Sequence, residues 1–271
     1  MTDAVLVVNG LSRHFGGLLA VNGVSLECRM GKVHAVIGPN GAGKSTLINM
    51  LSGDLPPSGG SVFLRGEDVT ALRAHQISQR GVGRSYQKTN VFMPFTAFEN
   101  CRLAAQSRLA TSMRFLKPAD RYLALTESAQ RALAQVGLQR RAGMPVVALS
   151  HGEQRQVEIA MTLATEPTVL LLDEPLAGMG IEESAQIVEL LRRLAANHAI
   201  LLVEHDMDAV FSLADTLTVM VNGAVLESGP PEQVRASPAV QRAYLGSQDE
   251  ANHQAHQAHQ ENRTHDSSLS E

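Results

Sequence analysis

The chain has 271 residues, 44% hydrophobic and 18% charged, which is enough to bury a sizeable core and ordinary for a globular protein. Its formal net charge of -4 offers no basic surface to a polyanion, so nucleic acid is not an expected partner. Cys28 and Cys101 are the only cysteines, far apart and in no C-x-x-C pattern, which fits a reducing compartment and speaks against structural zinc or a disulfide framework.

The opening stretch MTDAVLVVNG lacks a basic region followed by a long apolar run, so no signal peptide is expected. No stretch approaches the roughly 18 apolar residues of a spanning helix. Any work at a membrane would need another chain to supply the spanning part. Strand-like runs occur at AVLVV, VHAVI, SVFL, TVLLL, AILLV and TLTVMV. Several are continuously apolar, in the manner of a parallel sheet covered on both faces. Two Asn-Gly pairs separate such runs, Asn22-Gly23 between LLAV and VSLEC and Asn222-Gly223 between TVMV and AVLES, and each predicts a tight hairpin beside the parallel core.

VHAVI leads directly into Gly38-Pro39-Asn40-Gly41-Ala42-Gly43-Lys44-Ser45-Thr46, a complete GxxxxGK[ST], with the helical pattern TLINMLSG behind it. Each residue type has a reason. Glycines let backbone N–H groups curl around phosphate oxygens, Lys44 neutralises the β and γ phosphates, and Ser45 offers its hydroxyl to magnesium.

From residue 88 to 148 the chain reads as helical, interrupted by Pro118 and Gly137, and is expected to form an inserted subdomain. Between Cys101 and Arg141 eight basic residues (Arg102, Arg108, Arg114, Lys117, Arg121, Arg131, Arg140, Arg141) face two acidic ones, Asp120 and Glu127. A solvated face explains this balance, and so does a surface for anionic headgroups or an acidic partner loop.

Leu149-Ser150-His151-Gly152-Glu153 sets serine, histidine and glutamate side by side. Neighbouring side chains point to different faces, which argues against a hydrolytic triad. Ser150 and Glu153 instead form an S-x-x-E capping box ahead of the helical pattern QRQVEIAMTLA. The free N–H groups and dipole of that helix favour an anion in front of it. Farther on, the apolar run VLLL ends in Asp173 and Glu174. A buried strand delivers such carboxylates to the carboxyl end of a parallel sheet, where ligands bind. There Asp173 would hold magnesium and Glu174 would polarise an attacking water as general base.

GPNGAGKST, LSHGEQ and VLLLDEP, in this order, resemble the ATP-binding cassette (ABC) ATPases over residues 5–246. The resemblance implies an α/β P-loop NTPase core with a mixed sheet, an antiparallel β subdomain and an inserted helical subdomain, with ATP and Mg2+ as cofactors. It implies domains at 1–87 with 149–246 and at 88–148. LSHGE takes the place of the family's LSGGQ signature, so the anion before its helix would be the γ-phosphate of ATP held by an opposite subunit. Ser150 and Gly152 match the contact positions, while His151 and Glu153 replace Gly and Gln. Glu153, as the back-reaching member of the capping box, can keep its charge on its own helix.

By the same resemblance Phe15 takes the place of the aromatic that stacks on adenine. Gln87 resembles the glutamine that senses magnesium and the attacking water, and His205, after AILLVE, the switch histidine. Gly180 stands where the family has Asp or Asn, without the side chain that helps couple the two sites.

RSYQKTNVF followed by TAFENCRLAAQ, LSHGEQRQVEIA, VEHDMDAVFSLAD and GPPEQVRASPAVQRAYLG are similar to the ATPase subunits of branched-chain amino acid importers, segments shared in part with importers of amides, urea or aromatic acids. This implies two integral membrane permease subunits, a second cassette, an extracytoplasmic solute-binding protein, and a peripheral place on the cytoplasmic face of the inner membrane. An exporter or lipid-transport ATPase would carry the same nucleotide machinery. A DNA-repair cassette would need a longer insertion than residues 88–148, and a translation-type factor would carry two cassettes in one chain. The tail 247–271, with His253, His256 and His259 in HQA repeats, has too little apolar surface to order itself.

Overall fold

The computed structural model describes residues 4–85, 90–108 and 123–243. Two sheets organise it. In the first, β1 (Ala4–Phe15) and β2 (Leu18–Arg29) form a long antiparallel hairpin that β4 (Gly59–Leu64) and β5 (Glu67–Asp68) extend in the order β2-β1-β4-β5. The second contains β3 (Val33–Ile37), β6 (Val82–Ser85), β7 (Val169–Asp173), β8 (Ala199–Val203), β9 (Thr216–Val221) and β10 (Ala224–Gly229) in the order β10-β9-β3-β8-β7-β6. Every pairing from β9 to β6 is parallel, and β10 closes the edge antiparallel.

The continuous apolar runs have a direct cause. Alternate side chains of a strand point to opposite faces. Leu170, Leu172, Ile200 and Leu202 enter a core shared with helices, while Val169, Leu171, Leu201 and Val203 enter the core between the two sheets. With both faces covered, β7 and β8 are fully buried at every position.

The helices on the first of those faces include α3 (Ala97–Ala105), α4 (Leu123–Gln135), α5 (His151–Ala164) and α6 (Ile181–Ala195). Their buried residues recur at helical spacing, for example Leu125, Ala129, Ala132 and Leu133 in α4. Thr96 starts α3 with a capping box of its own, accepting from Glu99 N–H at 3.1 Å while Glu99 accepts from Thr96 N–H at 2.8 Å. The other helices are α1 (Lys44–Leu51), α2 (Ala74–Gln79), α7 (Met207–Leu213) and α8 (Pro231–Ala236).

One hairpin expectation holds and one fails. Asn222 and Gly223 form the two-residue turn between β9 and β10, both at positive φ (49° and 81°), as a type I′ turn requires. Asn22-Gly23 is no hairpin but lies inside β2. Pairing runs from Leu11↔Val24 to Arg13↔Val21, so Asn22 and Gly23 together oppose Ser12 as a β-bulge. Gly23 N–H donates to Ser12 Oγ at 2.9 Å, and Asn22 N–H leaves the ladder to bond Gly223 O at 2.8 Å. The actual turn uses Gly16, at φ 57°, with Gly17.

Candidate nucleotide site

The glycine loop joins β3 to α1, with its backbone packed against its neighbours. A Cβ on Gly38 would lie 2.1 Å from Met220 O, and one on Gly43 would lie 2.4 Å from Ala20 O, so only glycine fits at either place. Pro39, Asn40, Gly41 and Ala42 complete the turn, and Thr46 follows Ser45 in the first turn of α1. Lys44 is buried and curls over the loop, donating from Nζ to Gly38 O at 2.6 Å and Pro39 O at 3.1 Å. Burial lowers its pKa, and the nearby carboxylates of Glu174 and Asp173 oppose that shift. An ammonium held on the loop's own carbonyls stands where the phosphates of a nucleotide would lie in such a loop. Ser45 is exposed at the helix start, where N–H groups are unpaired.

β7 ends at Asp173, in register with Val203 at the end of β8. Asp173 is buried; desolvation raises its pKa, with Arg84 the largest opposing influence. Arg84 Nη2 stands 3.7 Å from Asp173 Oδ2, while its Nη1 bonds Asp54 at 2.7 Å. Asp173 Oδ1 has no hydrogen-bond partner among the described residues. A buried carboxylate oxygen with no hydrogen-bond partner among the described residues fits a hard divalent cation that takes oxygen ligands and keeps several waters.

Glu174 follows at φ 47°, a left-handed conformation that costs a non-glycine residue energy and persists only when its surroundings hold it. Its N–H donates to Val203 O at 2.9 Å, and its carbonyl accepts from Arg155 Nη2 at 3.0 Å. The His205 ring is exposed, with Nδ1 4.0 Å from Glu174 Oε1 and 3.7 Å from Glu204 Oε2. Glu204 is fully buried and fixes the loops on both sides, accepting from Leu176 N–H at 2.8 Å and His205 N–H at 3.0 Å. Desolvation raises its pKa against the pull of those bonds.

Ser150 caps α5 as the S-x-x-E pattern predicts: its hydroxyl accepts from Glu153 N–H at 3.2 Å, and Glu153 Oε2 accepts from Ser150 N–H at 2.9 Å. The other carboxylate oxygen meets Arg141 Nε at 3.2 Å, which keeps the Glu153 charge on its own chain. Gly152 N–H donates to Glu183 Oε1 at 3.2 Å, and His151 is exposed at the helix start.

Phe15 ends β1 with its ring exposed and the Arg13 guanidinium 4.8 Å above it. Gln87 lies outside the described residues, as do Arg114, Lys117 and Arg121 of the basic stretch and the tail 247–271. Of the remaining basic residues, Arg108 bonds Gln79 O, Arg131 pairs with Glu166 and Arg141 with Glu153, which favours a solvated face over a lipid surface.

Arg155 was not legible as a site residue. Buried in α5, it donates to the carbonyls of Pro175 at 3.1 Å, Asp173 at 3.2 Å and Glu174 at 3.0 Å, and it pairs with buried Glu158. It ties the signature helix to the segment that carries both carboxylates. Its place one turn into the capped helix was visible in the sequence; which carbonyls it would reach was not.

A glycine-loop lysine, a strand-end carboxylate pair and a capped helix start on one mixed sheet define a P-loop nucleotide hydrolase of the cassette type. The family profile described as "ABC transporter" matches residues 21–177, and the one described as "Branched-chain amino acid ATP-binding cassette transporter" matches 224–250. The high-affinity branched-chain amino acid transport ATP-binding protein LivG of Escherichia coli K12 is 41% identical over 253 residues, spanning 91% of this chain and 99% of the relative. BraF of Pseudomonas aeruginosa, described in the same terms, matches at the same identity and coverage. Among solved structures, the ADP conformation of an ATP-binding cassette from an ABC transporter superposes with a TM-score of 0.81 at 29% identity, covering 90% of this chain and all of that one. A nucleotide-free cassette gives 0.80 at 28% identity, covering 89% and 98%. This chain belongs to the ABC transporter family, binds nucleotide, and hydrolyses ATP in the service of transport. Among the described residues no helix is long and apolar enough to cross a membrane.

Proposed function

We propose that the protein is the ATPase subunit of an importer for branched-chain amino acids or related small solutes. It would work as one of two cassettes beneath two integral membrane permease subunits, on the cytoplasmic face of the inner membrane, with an extracytoplasmic solute-binding protein. The identity to LivG and BraF over nearly the whole chain supports the solute class. The observation that carries the chemistry is the convergence of Lys44, Asp173, Glu174 and His205 at the carboxyl ends of β3, β7 and β8. Residues 4–85 and 149–243 form the nucleotide-binding part in this reading, and the helices within 90–148 form the inserted subdomain.

Each residue then has a task. Backbone N–H groups of 38–46 and Lys44 hold the phosphates, and Phe15 takes the adenine ring. Glu174 accepts the proton of the attacking water, and His205 beside it holds the γ-phosphate. Asp173, Ser45 and Gln87 would hold Mg2+, which would supply charge neutralisation on the phosphates. Arg155 and Glu204 keep the carboxylate segment in place. The start of α5, with Ser150, His151, Gly152 and Glu153, faces the ATP of the opposite subunit, so two cassettes close head to tail around two nucleotides.

The test is to tag the protein, solubilise membranes of its native host in mild detergent and identify what co-purifies. Two multi-spanning permeases with a second cassette are expected. Recovery from the soluble fraction alone would leave an ATPase and overturn the importer.

A further inference from the structure

Glu183 sits in the first turn of α6 and reaches across to the start of α5, where its carboxylate accepts from Gly152 N–H at 3.2 Å. Two further N–H groups of that turn are served locally, Glu153 N–H by Ser150 Oγ and Gln154 N–H by Ser150 O. Gly152 N–H alone is served by a charge from another helix. A Cβ at position 152 would lie 3.1 Å from Glu183 Oε1, a tight approach that would push the carboxylate back by a few tenths of an ångström. The His151 ring lies near Gly178, its Cε1 3.7 Å from where a Cβ there would sit, an ordinary contact distance. Gly180, the N-cap of α6, contributes no side-chain bond at all.

One N–H cannot serve two anions, and two negative charges at one helix start repel each other. We propose that Glu183 is an internal anion that occupies the Gly152 N–H in the separated subunit and is displaced when the γ-phosphate of the opposite subunit's ATP arrives. The proposal rests on the assignment of the α5 start as the ATP-facing signature. Displacement frees the first turn of α6, and that turn is continuous with residues 175–180 that follow the catalytic carboxylates. Arrival of nucleotide in trans is thereby felt at the Glu174 of the same chain. The link does not need the side chain that Gly180 lacks.

The experiment compares the full-length Glu174→Gln protein with the same protein carrying Glu183→Gln or Glu183→Ala, by sedimentation with Mg-ATP. Removing the competing charge is expected to tighten ATP-driven dimerisation by about 3- to 10-fold in both double variants, the scale of one net hydrogen bond. ATP affinity of the single subunit should stay unchanged, because the glycine loop is untouched; a merely structural role would not separate these two readouts. Dimerisation that is unchanged or weaker in either double variant overturns the proposal while leaving the signature assignment standing. No ATP-driven dimer in any background would overturn the assignment, and the proposal with it.

Discussion

Replacing Arg155 with Met should cost the fold several-fold more stability than an ordinary surface substitution. The Arg155 and Glu158 side chains are 8% and 7% exposed and form a buried ion pair, and the guanidinium also holds three carbonyls of residues 173–175. Breaking a buried pair by removing one partner costs about 3–5 kcal/mol, because the other charge is left uncompensated. For a chain of this size that corresponds to a Tm lower by roughly 6–20 °C. Removing the second charge as well, in Arg155→Met with Glu158→Gln, abolishes the uncompensated carboxylate and should recover about half of the loss. ATPase activity should stay low in the double variant, since the three carbonyls remain without their donor and the Glu174 backbone without its brace. Urea denaturation followed by circular dichroism reads the stability, and phosphate release reads the turnover. A single variant costing less than about 1 kcal/mol, or a double variant no better than the single, would refute the clasp.

Lys44→Ala should abolish measurable ATP binding while the fold persists, checked by fluorescent-nucleotide titration alongside circular dichroism. Glu174→Gln should retain ATP binding but lower hydrolysis by about 10²- to 10⁴-fold, the worth of a general base; unchanged turnover would remove Glu174 from that role. His34 provides a pH test away from the site: it is buried in β3, bonded to Glu27 O at 2.8 Å and Thr218 Oγ1 at 2.7 Å, and desolvation holds its pKa below 6.5 despite the bond to Glu27. As pH falls through 6.5 the unfolded chain takes up a proton that the folded state refuses, so stability is lost on acidification. His34 should contribute at most about 1.4 kcal/mol per pH unit to that loss, and His34→Gln should flatten the pH dependence of the urea midpoint over this window.

Features that depend on neighbours along the chain were legible in the residues alone. The glycine loop, the apolar strands ending in Asp173-Glu174, the Ser150/Glu153 cap and the Asn222-Gly223 turn each follow from a few consecutive residues whose conformational and bonding needs are met locally. Motif order then carried the family, and with it the expected roles of Phe15 and His205. Tertiary structure decided the rest. Asn22-Gly23 has the same turn signature as Asn222-Gly223, yet β1 supplies partners on both sides of it, so the ladder continues and the pair becomes a bulge. The reach of Arg155 to residues 173–175, the seat of Glu204 beneath two loops and the grip of Glu183 on Gly152 join positions 18 to 31 residues apart in sequence. Such contacts leave no periodicity to read, because they are fixed by how helices settle on a sheet rather than by the spacing of residues along either one.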